Sequence, residues 1–217
     1  MDRKELKKAA KDSLKGKYAE VIKLYLIYFL IIFGINFIIG FGFGFYAGIT
    51  GNTINDFTMN TIEIVASIIS IAIESLVAFG MTSFYLKISR NEDVTYKELF
   101  SKKHLFWPYI TIYIITSIFT FLWSLLFIIP GIIAAISYTL VYFIKLDNEN
   151  LKTLEVIKES KKLMQGHKWE YFVLNLSFLG WILLGILTVG ILYFWLIPYM
   201  SVTQANFYNY LKEKNCQ

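Results

Sequence analysis

The chain has 217 residues, of which 56% are hydrophobic and 17% are charged, and its formal net charge is +5. Soluble domains average about 45–50% apolar and about 25% charged residues, so this composition leaves no room for a separate soluble domain. The apolar excess forms runs of roughly 17 to 25 residues, the length that crosses a bilayer as a helix. The sequence therefore predicts an all-α polytopic membrane protein, with one membrane domain over residues 1–217.

The basic residues are confined to four short segments. All 21 Lys and Arg lie within residues 1–23, 87–103, 145–168 and 212–214. Cytoplasmic loops of membrane proteins are enriched in these residues, so we expect all four segments, and both termini, on the cytoplasmic side. The same rule explains the positive net charge without nucleic acid, and we expect membrane lipids as the partners of these segments.

Six transmembrane segments are predicted in chain order. Residues 1–23 form a basic amphipathic N-terminal helix, residues 24–210 contain the spans and residues 211–217 form a cytosolic tail. The expected bundle has six helices, with amphipathic helices at the interface. The predicted spans are Leu24–Ala47, Ile62–Leu86, Pro108–Ile129, Ile132–Lys145, Glu170–Leu187 and Ile191–Tyr210.

The fourth and fifth spans are short, because about 14 to 18 helical residues rise only about 21–27 Å. The uncharged turns at residues 130–131 and 188–190 are then close to the bilayer interior. Non-helical backbone at that depth needs protein or water to cover it. Two re-entrant hairpins are therefore an alternative to four complete spans.

Two basic segments show helical periodicity. Apolar residues recur every three or four positions in residues 5–22 and in residues 150–165, with lysines between them. This pattern is typical of a helix lying in the membrane interface, and a solvated loop is the alternative. Residues 10–25 and 157–174 also share a weak repeat, which residues 97–113 follow without the glycine.

Glu74 lies 12 residues into the second predicted span, where a charge is costly. It belongs to a stripe of small and polar residues that includes Ser70, and Asn36 lies at a similar depth in the first span. We expect Asn36 and a protonated Glu74 to share a hydrogen bond. Three roles for Glu74 stay open: a proton or cation site, a neutral acid that holds the two helices together, and the lining of a lipid-accessible groove.

Gly40, Gly44 and Gly48 form two overlapping G-x-x-x-G steps, which allow helix backbones to approach closely. Packing within the chain is the favoured interpretation. A second copy of the chain or another membrane protein is the alternative partner for this face.

No motif points to catalysis. His104 and His167 have no carboxylate or Cys at metal-ligand spacing, and neither a nucleophile elbow nor a phosphate-binding loop is present. We therefore expect no metal, no cofactor and no enzymatic activity.

A set of motifs resembles one bacterial membrane-protein family, catalogued as the domain of unknown function nine-seven-five. The motifs are Ile129-Pro130-Gly131-Ile132, Ser137-Tyr138, Ser160 with Leu163-Met164, Gly166-His167-Lys168-Trp169, Phe172, Ser177-Phe178 with Gly180-Trp181, Pro198-Tyr199, Phe207-Tyr208 and, near the start, Leu6, Ala10, Leu14 and Gly16. The Ile129-Pro130-Gly131-Ile132 step and the later stretch from Ser160 to Gly166 are also similar to the membrane domain of some glycerophosphodiester phosphodiesterases, whose catalysis resides in a separate soluble domain. The resemblance implies a six-helix protein of the bacterial plasma membrane and no particular reaction.

The motif residues near position 168 have a physical interpretation. Gly166 would end a helix, Lys168 would meet a headgroup phosphate and Trp169 would anchor the next span. With Lys161 and His167 they are the predicted lipid-headgroup contacts, and a purely structural hinge is the alternative. The sequence thus favours a non-enzymatic, lipid-interacting or scaffold protein. A small transporter or channel with a site around Glu74 and Asn36 is the second hypothesis.

Overall fold

The computed structural model describes residues 2–50 and 56–215, which contain ten α-helices, two short 3₁₀ turns and no strand. The 3₁₀ turns, Tyr96–Phe100 and Lys103–Leu105, precede α4. The helices are α1 (Arg3–Leu14), α2 (Tyr18–Thr50), α3 (Asp56–Ser89), α4 (Phe106–Leu126), α5 (Ile128–Tyr138), α6 (Val141–Asp147), α7 (Thr153–Leu163), α8 (Lys168–Leu176), α9 (Leu179–Leu187) and α10 (Tyr193–Asn215).

Five helical segments are long and apolar enough to cross a membrane. They are Tyr18–Tyr46, Ile64–Ser89, Tyr96–Leu126, Ile128–Asp147 and Lys168–Leu187. They coincide with the first five predicted spans. The predicted sixth span is helical as α10 but is not among the five. The C-terminal half of α10 is polar, and the protein buries Thr203 and Asn206 there.

The turn between the third and fourth predicted spans lies at a different residue from the one predicted. The chain breaks at Phe127, whose backbone is extended (φ −160°, ψ 151°), and Pro130 lies in the first turn of α5. The expectation of a turn at residues 130–131 was therefore wrong by three positions. Proline fits the first turn of a helix because its missing N–H has no helical partner there. The second predicted turn is present, at residues 188–192.

The core lies at the basic end of the molecule. Buried residues of α3, α6, α7 and α10 pack together there, including Leu86, Ile144, Val156 and Phe207. The outer half of α2, the α4–α5 tip and α9 instead expose large apolar side chains. The helices therefore share a protein core at one end and present apolar surface at the other.

The predicted repeat is present, in a more regular form than the sequence indicated. α1 begins at Arg3 and α7 at Thr153, 150 positions later, and α2 and α8 begin at Tyr18 and Lys168 with the same separation. Gly16 and Gly166 occupy the same place in each unit and have positive φ angles of 78° and 80°. The burial pattern of residues 10–21 is repeated position for position in residues 160–171. The register predicted from residues 10–25 and 157–174 was wrong, because those ranges begin 147 positions apart and the two structural units are 150 positions apart.

Protein covers the apolar faces of α1 and α7. In the first unit Ala10, Leu14 and Val21 are fully buried, and α1 packs against α10 and α3. Val156 and Met164 are buried in the second unit. These apolar faces complete the protein core. The expectation that they face the membrane interface was therefore wrong.

Candidate functional site

A groove of about 570 Å³ opens beside α5, between α4 and the α7–α8 turn. α4 supplies Trp123 to this groove, and the α7–α8 region supplies Lys161, Gln165 and Lys168. The residues that α5 contributes are Pro130, Ile133, Ala134, Ser137 and Tyr138.

One end of the groove is cationic. Neither Lys161 nor Lys168 pairs with an acidic side chain among the described residues, and none of the residues that line the groove is acidic. The Lys161 Nζ lies 5.3 Å from the centre of the Tyr138 ring, within cation–π range. This end therefore carries two positive charges that an anion could neutralise.

The other end of the groove is apolar and open. Trp123 and Ile133 are 48% and 46% exposed, and the neighbouring tip of the α4–α5 hairpin is more exposed still. The groove thus connects unpaired cations to an uncovered apolar surface. An amphipathic molecule with an anionic end matches both parts.

Local contacts position the cationic end. The Ser160 hydroxyl donates to the Ser137 carbonyl over 2.8 Å, which holds α7 against α5. Gly166 adopts the left-handed conformation that lets the chain reverse between Lys161 and Lys168. Both lysines consequently line one groove although they belong to different helices.

The other two predicted headgroup contacts do not line the groove. The His167 Nδ1 lies 2.8 Å from the Glu170 Oε2, and its Nε2 lies 3.4 Å from the Lys214 Nζ. Trp169 is 72% exposed and stacks on Phe172 with ring centres 5.4 Å apart. The structure therefore brings Lys161 and Lys168 together without His167 or Trp169.

Sequence reasoning missed Gln165, Trp123 and the contribution of α5 as lining residues. Ser137-Tyr138 was noticed only as a family motif, without a role. Lys161 and Gln165 share helical i, i+4 spacing, which is a usable signal for a common face. No comparable local signal links Trp123 to residues about forty positions further along the chain.

The predicted intramembrane polar site is not assembled. The Asn36 Nδ2 donates to the Ile32 carbonyl of its own helix over 2.8 Å, and Glu74 is exposed. The predicted hydrogen bond between Asn36 and Glu74 is absent from the described residues. Asn36 therefore uses an amide donor within its own helix. Ser70 is half-buried on the same stripe of α3 as Glu74.

A second cavity of about 370 Å³ lies between α2 and α3 and has an almost entirely apolar lining. Neither Glu74 nor Asn36 contributes to it. Its lining residues are Ile38, Ile39, Gly42, Thr61, Val65, Ala66 and Ile69.

The glycine face of α2 is open. A Cβ atom added at Gly40, Gly44 or Gly48 would meet no described atom within 4 Å, apart from its own helix. Close packing of this face within the chain was therefore a wrong expectation for the part of the chain described here. The other partners considered for this face stay predictions.

An ionic cluster that the sequence did not reveal joins three helices at the basic end. Asp147 accepts two hydrogen bonds from the Arg90 guanidinium, over 2.9 and 2.8 Å. It also accepts from the Lys212 Nζ over 2.6 Å and from the Tyr208 hydroxyl over 2.9 Å. The Asp147 side chain is only 8% exposed, whereas Arg90 and Lys212 are 31% and 46% exposed. These four hydrogen bonds therefore connect the residue that follows α3 with α6 and α10 around a buried carboxylate.

The histidines show no metal geometry. The His104 Nε2 lies 2.9 Å from the Glu149 Oε2, and the Lys102 Nζ donates to the other oxygen over 2.6 Å. These two hydrogen bonds lower the pKa of the Glu149 carboxyl. Within residues 2–50 and 56–215, no group of three or more His, Cys, Asp or Glu side chains could hold a metal ion.

The fold and the groove define an all-helical protein with several helices able to cross a membrane and a cationic groove near its core. The sequence matches one family over residues 1–141 and 125–215, and the chain belongs to this family, described as Protein of unknown function (DUF975). No curated protein and no solved structure matches the chain. The suggested similarity to glycerophosphodiester phosphodiesterases therefore has no support from these comparisons.

Proposed function

We propose that this protein is a non-enzymatic, lipid-interacting or scaffold protein of the bacterial plasma membrane. The observation that supports this function is the groove beside α5, which joins two unpaired lysines to an exposed apolar surface. A phospholipid has the same division between a charged headgroup and an apolar chain. The expected partners are membrane lipids, with no nucleic acid.

The proposed topology has six crossings and both termini in the cytoplasm. Positively charged loops remain on the cytoplasmic side, and all four basic segments then lie together. α10 is the sixth crossing in this proposal. Its polar residues are compatible with a membrane because protein covers them, as with Asn206, whose Nδ2 donates to the Leu6 carbonyl. α1 and α7 would lie at the cytoplasmic surface, close to the headgroups.

Lipid binding is better supported than transport or catalysis. A transport site would need Glu74 and Asn36 to face one polar path, whereas Asn36 bonds to its own helix. The groove offers lysines, an amide and hydroxyls, and its described lining residues include no histidine or carboxylate that could act as a general base. Its chemistry therefore suits binding. The open glycine face of α2 is available to a second copy or to another membrane protein.

Filling the apolar end of the groove tests this function. Ile133→Trp places a bulky ring in the groove, whereas Ile132→Trp changes a neighbour that is equally exposed, at 46%, and does not line it. We expect the protein purified in mild detergent to retain bound phospholipid, and Ile133→Trp to retain at least one molecule fewer than Ile132→Trp. Native mass spectrometry counts the retained lipids. Equal counts in the two variants, or a folded wild-type protein without lipid, would contradict the proposal.

A further inference from the structure

We propose, resting on the lipid-binding function above, that the groove selects a glycerophospholipid with a net negative headgroup. The phosphate lies between Lys161 and Lys168, the Gln165 amide donates a further hydrogen bond, and an acyl chain follows α5 toward Trp123. The two lysines line the same groove, and Gln165 lies between them in the sequence, at the α7–α8 turn.

The charges of the groove carry this selectivity. Both lysines lack an acidic partner among the described residues, so a phosphate group can neutralise them without displacing an existing ion pair. A zwitterionic headgroup brings an ammonium group as well as a phosphate. Among the described residues that line the groove, none is a carboxylate that could receive that ammonium group, and the lysines repel it. The groove therefore rejects zwitterionic lipids, because their ammonium group would have no acidic partner, and accepts anionic lipids.

The apolar wall selects a lipid rather than a soluble phosphate. From Tyr138 to Pro130 the groove follows nine residues of α5, which rise about 12 Å along the helix. Ala134 and Ile133 lie along this wall, and Trp123 faces them from α4. A soluble phosphate compound would leave this wall empty, whereas an acyl chain covers it and continues into the surrounding bilayer.

Two exposed lysines on α7 that lie outside the groove provide a matched control. Lys158 and Lys162 lie on the same helix as Lys161, and both are exposed and outside the groove lining. The double variant Lys158→Gln/Lys162→Gln removes the same net charge from α7 as Lys161→Gln/Lys168→Gln removes from the groove. A general electrostatic attraction to anionic lipid predicts equal effects, and a specific site predicts unequal ones.

The experiment uses the full-length protein reconstituted in vesicles of equal amounts of phosphatidylglycerol and phosphatidylcholine. After extraction in mild detergent, native mass spectrometry measures the ratio of the two retained lipids. We expect phosphatidylglycerol to be enriched in the wild-type protein. The enrichment should fall about thirtyfold in Lys161→Gln/Lys168→Gln, from the loss of two lysine contacts of about 1 kcal/mol each with an anionic headgroup. Lys158→Gln/Lys162→Gln should keep the wild-type ratio, and the melting temperatures of both variants check that they are folded.

Each other outcome overturns a distinct part of the proposal. Retained lipid without enrichment in the wild type leaves lipid binding intact and removes the charge selectivity. Equal losses in the two double variants place the attraction outside the groove. Displacement of the lipid by millimolar glycerol 3-phosphate would make the groove a site for a soluble phosphate compound. Absence of any retained lipid contradicts the proposed function itself.

Discussion

Two glycines at corresponding positions of the repeat adopt the same left-handed backbone conformation. Gly16 and Gly166 have φ angles of 78° and 80°, where an L side chain is strained. No described atom lies within 4 Å of a Cβ built at either position. The requirement for glycine at these turns is therefore conformational and not steric. Gly80 differs, because an added Cβ would lie 2.6 Å from the Leu99 Cα.

We expect Gly16→Ala and Gly166→Ala each to lower the free energy of unfolding by about 1 kcal/mol, the cost of placing a side chain in the left-handed region. Gly34→Ala is the control, since Gly34 lies inside α2 and an added Cβ there meets open space. That substitution should stabilise α2 by up to about 1 kcal/mol. Denaturant unfolding in detergent measures all three, and similar results for Gly166→Ala and Gly34→Ala would refute the conformational explanation.

At the scale of the helices, α1 is attached to the junction between α8 and α9. The Lys7 Nζ donates to the Ser177 carbonyl over 3.2 Å and lies 3.9 Å above the Phe178 ring. The carbonyl is available because the helix breaks at this junction, where the Ser177 hydroxyl donates to the Leu174 carbonyl. Burial lowers the pKa of the Lys7 amine. One lysine thus links the first repeat unit to the second.

Lys7→Gln should weaken the contact between α1 and the α8–α9 junction. It removes the cation above the Phe178 ring, and the shorter side chain carries its donor group further from the Ser177 carbonyl. A loss of about 1 kcal/mol corresponds to roughly fivefold faster local exchange. Hydrogen exchange followed by mass spectrometry should show the increase in peptides of α1 and of the α8–α9 junction. Lys8→Gln removes the same charge from an exposed position of α1. Exchange that rises equally in both variants would argue against a specific attachment.

At the scale of the whole molecule, the Asp147 cluster connects distant parts of the chain. Arg90 directly follows α3, and the other members lie on α6 and α10. The Asn209 Oδ1 accepts further hydrogen bonds from Arg90 over 3.3 and 3.2 Å. The two cations that contact Asp147 come from different basic segments. Part of the positive charge that indicated loop orientation therefore also holds the core end together.

Asp147→Asn should destabilise the fold by about 2 kcal/mol, because it removes the charge of a buried carboxylate and leaves Arg90 and Lys212, which are 31% and 46% exposed, without their acidic partner. Asp93→Asn makes the same chemical change in an exposed loop at the same end of the molecule and should be nearly neutral. Thermal unfolding of the two purified variants provides the comparison. A melting temperature of Asp147→Asn equal to that of Asp93→Asn would show that the cluster contributes little.

The sequence by itself determined the helical segments and the positions of the basic residues. Bilayer thickness sets the length of an apolar run, so the first five predicted spans could be located from composition alone. Lys161 and Lys168 were both among the four predicted headgroup contacts, with His167 and Trp169, but their place in one groove was not predicted.

The tertiary structure alone decided what surrounds those lysines and what surrounds the glycine face. Trp123 reaches the groove only because the α4–α5 hairpin packs beside α7 and α8, and Arg90 meets Asp147 only through the packing of α3 on α6. The predicted hydrogen bond between Asn36 and Glu74 does not form, because an equal depth in two helices does not fix the rotation of either helix about its axis. Local sequence encodes period and length, whereas contacts between distant elements depend on how the helices pack.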